Sequence, residues 1–126
     1  MQSLKDLLKY NSIIFDCDGV ILQSNQLKTQ AFRKALSNEP IELVKKFIDY
    51  HKQNGGISRY LKFKYFYNEI KNESYSDQEI NLAIDKYSKL VREELLLVEY
   101  VPGFLSVINF LNKHKIKCFV ISGGDQ

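Results

Sequence analysis

The alternation of apolar and polar positions changes character along the chain. Ile13-Ile14-Phe15 is an unbroken apolar run that stops at Asp16-Cys17-Asp18-Gly19. A run this short, bounded by turn residues, predicts a strand of a parallel sheet covered on both faces. Before it, Leu4, Leu7 and Leu8 fall on one side of a short amphipathic helix over Ser3 to Lys9. From Ser24 to about Val98 the spacing is helical. Leu27, Ala31, Phe32, Ala35 and Leu36 mark a first helix. Pro40 suits the first turn of a second, with Leu43, Val44, Phe47 and Ile48 as its apolar face. After the break at Gly55-Gly56, a third helix carries Tyr60, Leu61, Phe63, Phe66, Tyr67 and Ile70, with Lys62 and Lys64 read as solvated positions. Ser76 followed by Glu79 is a capping box. It opens a long fourth helix with a core-facing stripe of Ile80, Ala83, Ile84, Tyr87 and Val91. Past the Pro102-Gly103 turn, Phe104 to Lys113 reads as a fifth helix. Ile116 to Ile121 is a second strand-like run that ends at Ser122-Gly123-Gly124-Asp125.

The order is therefore strand, helical block, helix, strand. It predicts the α/β class: a partial Rossmann-like core of parallel strands from 1–23 and 100–126, with an inserted all-helical domain over 24–99. The block is too long for a simple crossover between parallel strands. It is expected over the carboxyl ends of the strands, where open α/β sheets bind ligands.

Composition adds limits. Of 126 residues, 44% are hydrophobic and 26% charged, which is a globular balance. A formal charge of +3 is too weak an excess to point to nucleic acid or to a membrane surface. No apolar run is long enough to cross a bilayer, and the start lacks a signal-peptide pattern, so a cytoplasmic location is expected. Cys17 and Cys118 lie in or beside apolar runs and read as buried thiols of a reducing compartment, with no ligand spacing for zinc.

The chemistry concentrates where the first strand ends. Asp16 and Asp18 leave the strand two residues apart, and Gly19 lets the backbone turn sharply near a ligand. Two close carboxylates repel unless a cation or a shared proton relieves them, and Mg²⁺ prefers such hard oxygen ligands. One carboxylate can then attack phosphorus while the other moves a proton. Taken alone, Asp-x-Asp-Gly also describes aspartates that merely end a strand and bind water in a turn.

The longer string Ile13-Ile14-Phe15-Asp16-Cys17-Asp18-Gly19-Val20-Ile21-Leu22-Gln23-Ser24 resembles motif I of the haloacid dehalogenase superfamily, with Gln23 where that family often has Asp. Val120-Ile121-Ser122-Gly123-Gly124 resembles its motif II, and the helical block resembles its helical (C1-type) cap. The resemblance implies a Mg²⁺-dependent phosphatase of the phosphoglycolate phosphatase and β-phosphoglucomutase-like branch, acting on a small phosphorylated metabolite. In that reading Asp16 is the nucleophile that forms an aspartyl-phosphate, and Asp18 is general acid and then general base. The Asp16 carboxylate and the Asp18 main-chain carbonyl hold Mg²⁺. Ser122 and the Gly123 amide bind the transferring phosphoryl oxygens. Such transfer depends on positioning and on neutralising spread negative charge.

Asn54-Gly55-Gly56-Ile57-Ser58-Arg59-Tyr60 resembles the Gly-Val-Ser-Arg loop of the β-phosphoglucomutase-like branch. This implies Arg59 as an anion clamp, since guanidinium binds phosphate with a planar fork, and sugar phosphomutation as a further alternative. The stretch from His51 to Arg59 is also similar to hydrolases of bacterial surface-sugar loci, which implies a phosphorylated sugar acid or a similar substrate. His51 is a candidate substrate contact; His114 sits at a helix end, where cationic groups suit the dipole. Asp18 favours phosphoryl transfer over dehalogenation. Beyond motif II the family pattern supplies a lysine and then acidic residues, and the sequence stops soon after Ser122. The expectation is a chain truncated after motif II, completed by a missing C-terminal segment or a complementing chain. The competing expectation is a non-catalytic fragment that binds phosphate or a partner.

Overall fold

The computed structural model describes residues 3–123. A 3-10 turn, Leu4–Lys9, is closed by a capping box between Ser3 and Asp6. Strand β1 is Ser12–Asp16. Helices α1 (Asn25–Ala35), α2 (Ile41–Gln53) and α3 (Arg59–Tyr65) follow, and α3 widens into a π-helical stretch, Phe66–Lys71. Then come α4 (Asp77–Leu95), α5 (Phe104–Lys113) and strand β2 (Lys117–Ile121). The chain divides into two compact units, Met1–Asn25 with Val98–Gln126, and Gln26–Leu97. Among the described residues, no helix is long and apolar enough to cross a membrane.

In the first unit β1 and β2 pair in parallel, with Ser12 opposite Lys117 and Asp16 opposite Ile121. This is a mixed α/β architecture, as the strand–helices–strand order requires. Strand alternation puts Ile13, Phe15, Cys118 and Val120 on one face of the pair, where the first three are half-buried and Val120 is 58% exposed. There the Phe15 ring meets Phe104 of α5 edge-on, with centroids 5.6 Å apart. The other face corrects the expectation of strands covered on both sides. Ile14 is 60% exposed, Phe119 53% and Ile121 62%. An apolar run states what a strand face is suited to, but a two-stranded sheet with one helix layer has only one face to bury. The cysteines differ likewise: Cys17 and Cys118 are half-buried rather than buried, and neither forms a disulfide.

The second unit is all helical, and its core is aromatic. Phe32, Phe47, Phe63 and Phe66 are each at most 2% exposed, joined by Ile48, Ile80, Ala83, Ile84 and Tyr87. Phe32 stacks on Tyr87 with centroids 4.2 Å apart and meets Phe47 edge-on at 5.3 Å, favoured geometries for rings carrying a quadrupole. Phe66 and Tyr67, adjacent in the π-helical stretch, are both buried. The capping box at Ser76 and Glu79 starts α4 as its sequence predicts. Pro40 is the residue before α2 rather than inside its first turn. Lys62 is not solvated: it is 3% exposed, because α3 turns it inward beside Phe63 toward α2.

Candidate active site

β1 ends at Asp16, and its register partner Ile121 is the last residue of β2. Ser122 and Gly123 come next, so they leave the sheet at the same carboxyl end as Asp16, Cys17 and Asp18. That common edge is the consequence of a parallel pairing: both strands finish together.

The loop after Asp16 is tightly tied. The Cys17 carbonyl accepts from the amides of Val20, Ile21 and Leu22 at 3.3, 2.9 and 3.1 Å, and the Gly19 amide donates to the Leu22 carbonyl at 2.8 Å. Gly19 has φ +74°, a conformation that favours glycine, and a Cβ there would also displace the Asn25 side-chain amide, 2.5 Å away at Nδ2. The far side of the loop is pinned as well. The Val101 amide donates to the Ile21 carbonyl at 2.8 Å, and the Gln23 amide to the Glu99 carbonyl at 3.0 Å. Gln23, in place of the Asp common in motif I, uses its side chain to donate to the Tyr100 carbonyl at 3.2 Å.

The two aspartates occupy different surroundings. Asp16 is exposed, and its Oδ1 accepts from the Cys17 amide at 2.8 Å. Asp18 is half-buried, and its Oδ1 accepts from the Ser24 hydroxyl at 2.6 Å. Ser24 is fully buried. The sequence contains Ser24 in plain view, but nothing in spacing reveals that its hydroxyl folds back across the turn to orient Asp18. Such an O–H donor to a carboxylate is among the stronger hydrogen bonds.

Among the described residues, no three His, Cys, Asp or Glu side chains gather as a metal site. The oxygens that follow the end of β1 include the carboxylates of Asp16 and Asp18, which accept from the Cys17 amide and the Ser24 hydroxyl. Hard oxygens in this small number fit Mg²⁺, which keeps several waters and commonly takes one or two carboxylates together with substrate phosphate.

Arg59 belongs to the helical unit, away in sequence from these four residues. It opens α3 behind the Ser58 cap, half-buried, with its guanidinium 5.0 Å from the Tyr60 ring centroid. His114 caps the end of α5 and stacks on Phe110 with centroids 4.4 Å apart. His51 lies inside the helical unit, between Thr29 and Lys62. Gly124 and Asp125, which complete the motif II string, lie outside the described residues.

The sequence matches the haloacid dehalogenase-like hydrolase family over residues 13–126. No curated protein matches it. Solved structures share the fold, among them two hydrolases. One is a hydrolase from Pseudomonas syringae, 21% identical with a TM-score of 0.68, the alignment covering 91% of this chain and 51% of that one. The other is a HAD hydrolase of family IA, variant 3, from Entamoeba histolytica, 17% identical with a TM-score of 0.64, covering 91% and 50%. This chain thus spans about half the length of the solved structures it matches.

Proposed function

The chain belongs to the haloacid dehalogenase-like hydrolases, and from that premise we propose that it carries the nucleophile half of a Mg²⁺-dependent phosphomonoesterase for a small phosphorylated metabolite. The observation that carries the reading is the unequal setting of two aspartates at one strand end. Asp16 is exposed and can reach a phosphoryl group, whereas Asp18 is half-buried and oriented by Ser24. Two carboxylates in different environments can take two roles.

In this proposal an Asp16 oxygen attacks phosphorus and the P–O bond to the leaving alcohol breaks. Asp18 gives that alcohol its proton, then takes one from the water that hydrolyses the aspartyl-phosphate. Ser122 and the Gly123 amide hold phosphoryl oxygens. Asp16 and the Asp18 carbonyl would hold Mg²⁺, which would supply charge neutralisation at the phosphoryl group. Arg59 is a separate anion-binding candidate on the helical unit.

A second reading has its own support. The open face of Ile14, Phe119 and Ile121 favours a core that takes up a partner strand-bearing polypeptide and binds phosphate without turnover by itself. Phosphate release from an aryl phosphate, with and without Mg²⁺, separates the two. A Mg²⁺-dependent rate that Asp16→Asn abolishes supports hydrolysis by this chain. Equal background in both proteins refutes it and leaves the second reading.

A further inference from the structure

Two apolar features of the helical unit lack cover. The first is a cleft of about 380 Å³ between the end of α1 and the start of α2. Leu36 and Ile48, 1% and 3% exposed, line it with half-buried Val44, and Ile41 stands at its mouth, 70% exposed. Binding clefts commonly hold about 300–1,000 Å³, so this one admits aliphatic side chains. The second feature is the turn that ends α4. Leu96 and Leu97 leave the helix 86% and 84% exposed, the barest large apolar side chains among the described residues. That exposure shows that they do not fill the cleft of their own chain. Adjacent bare leucines form a patch rather than a scattered surface residue, and such patches mark contacts between molecules.

Charge divides along the same line. Over residues 26–65, which hold the cleft, nine Lys and Arg stand against three Asp and Glu; over 66–97, which hold the turn, four stand against seven. At the cleft, Glu39 is paired with Lys71 at 2.9 Å, and Lys45 lies 3.9 Å from Glu42. Arg33, exposed at the edge, forms no ion pair among the described residues. Beside the leucines, Glu94 is paired with Lys34 at 2.9 Å, whereas exposed Glu93 forms no ion pair among the described residues. A basic apolar hollow and an acidic apolar projection thus stand on one polypeptide, each with a spare charge of opposite sign. Such complementarity fixes the choice and register of a partner.

We propose that the α1–α2 cleft of one copy receives Leu96 and Leu97 of a second copy, with Arg33 of the first facing Glu93 of the second. The contact joins unlike surfaces, so a pair keeps one free cleft and one free turn, and association either closes as a ring or runs on. Two leucines and one ion pair make a small contact, so it is reversible and concentration-dependent. It uses no residue of the Asp16 site. Sedimentation velocity of the full chain at rising concentration tests it. The parent's mean sedimentation coefficient should climb with concentration. Leu96→Ser with Leu97→Ser, and separately Arg33→Glu, should each raise the dissociation constant on the order of tenfold or more. Far-UV circular dichroism should be unchanged in both, because all three side chains are exposed. Mixing the two variants restores one contact, between the cleft of the serine variant and the leucines of the Arg33→Glu variant. The mixture should therefore stop at a 1:1 pair. Adding Glu93→Arg to the Arg33→Glu chain should restore association by returning opposite charges. A parent that stays monomeric throughout overturns the proposal, and so does a mixture that stays monomeric. Association unchanged in both variants also overturns it and places the contact elsewhere, with the open sheet face as the alternative.

Discussion

Replacing Phe63 by alanine should remove most of the stability of the helical unit. Phe63 is fully buried, and its ring lies 5.4 Å from Phe32, 5.8 Å from Phe47 and 6.0 Å from Tyr87, centroid to centroid. Truncating a buried phenylalanine costs about 3–5 kcal/mol, from lost transfer energy and the cavity left behind. Three aromatic neighbours place this position toward the upper end, because each favourable ring pair adds roughly 0.5–1.5 kcal/mol. Against that, a unit of about seventy residues holds roughly 4–11 kcal/mol in total. Urea unfolding followed by far-UV circular dichroism, dominated by the helices, measures the change. The midpoint should fall steeply with an unchanged slope, or the unit should already be unfolded in buffer. Phe63→Leu, which refills part of the space, should lose much less. A loss below about 1 kcal/mol for Phe63→Ala would refute the assignment of this ring to a packed core.

Other outcomes follow from the same packing. Phe119→Ser, on the open sheet face, should leave stability within about 0.5 kcal/mol of the parent in urea unfolding, because the ring is 53% exposed. Ser24→Ala removes the hydroxyl that orients Asp18, at a cost of about 1–3 kcal/mol; faster amide exchange at Gly19, Ile21 and Leu22 checks it. His51 gives a pH signature. Its folded pKa is lowered from 6.5 to about 4, so below pH 6.5 the unfolded chain takes up a proton that the folded chain refuses. Stability is therefore full above pH 6.5 and is lost as pH falls toward 4; His51→Gln should flatten the unfolding midpoint across that window.

The helices were legible because their apolar spacing and stop signals agree with the burial they find, and the two strands were legible in position though not in cover. The stripe from Ile80 to Tyr87 is the clearest case. The shared edge of Asp16, Asp18 and Ser122 was readable in direction, since parallel strands point their carboxyl ends the same way, while the register that levels Asp16 with Ile121 was not. Other features depend on tertiary approach, to which local pattern is blind. Lys62 looks like a surface position until α2 brings His51 against it. Ser24 gives no sign of its partner because the turn between it and Asp18 is irregular. The π-helical stretch had a faint signal, two adjacent aromatics, Phe66 and Tyr67, both fit for burial. The bareness of Ile14 and Phe119 had none, since a sequence declares a strand's appetite for cover but not its supply.

The register of the sheet also sets an order in time. Ser12 pairs with Lys117, nearly the whole chain away, whereas the helices between them close mostly over neighbouring segments. Loop-closure entropy delays such distant pairings and leaves local ones fast. During synthesis β1 emerges early and waits, apolar and unzipped, until Lys117 to Ile121 leave the ribosome. In that interval Ile13 to Phe15 lacks its β2 partner and is open to chaperones or to strands of other chains.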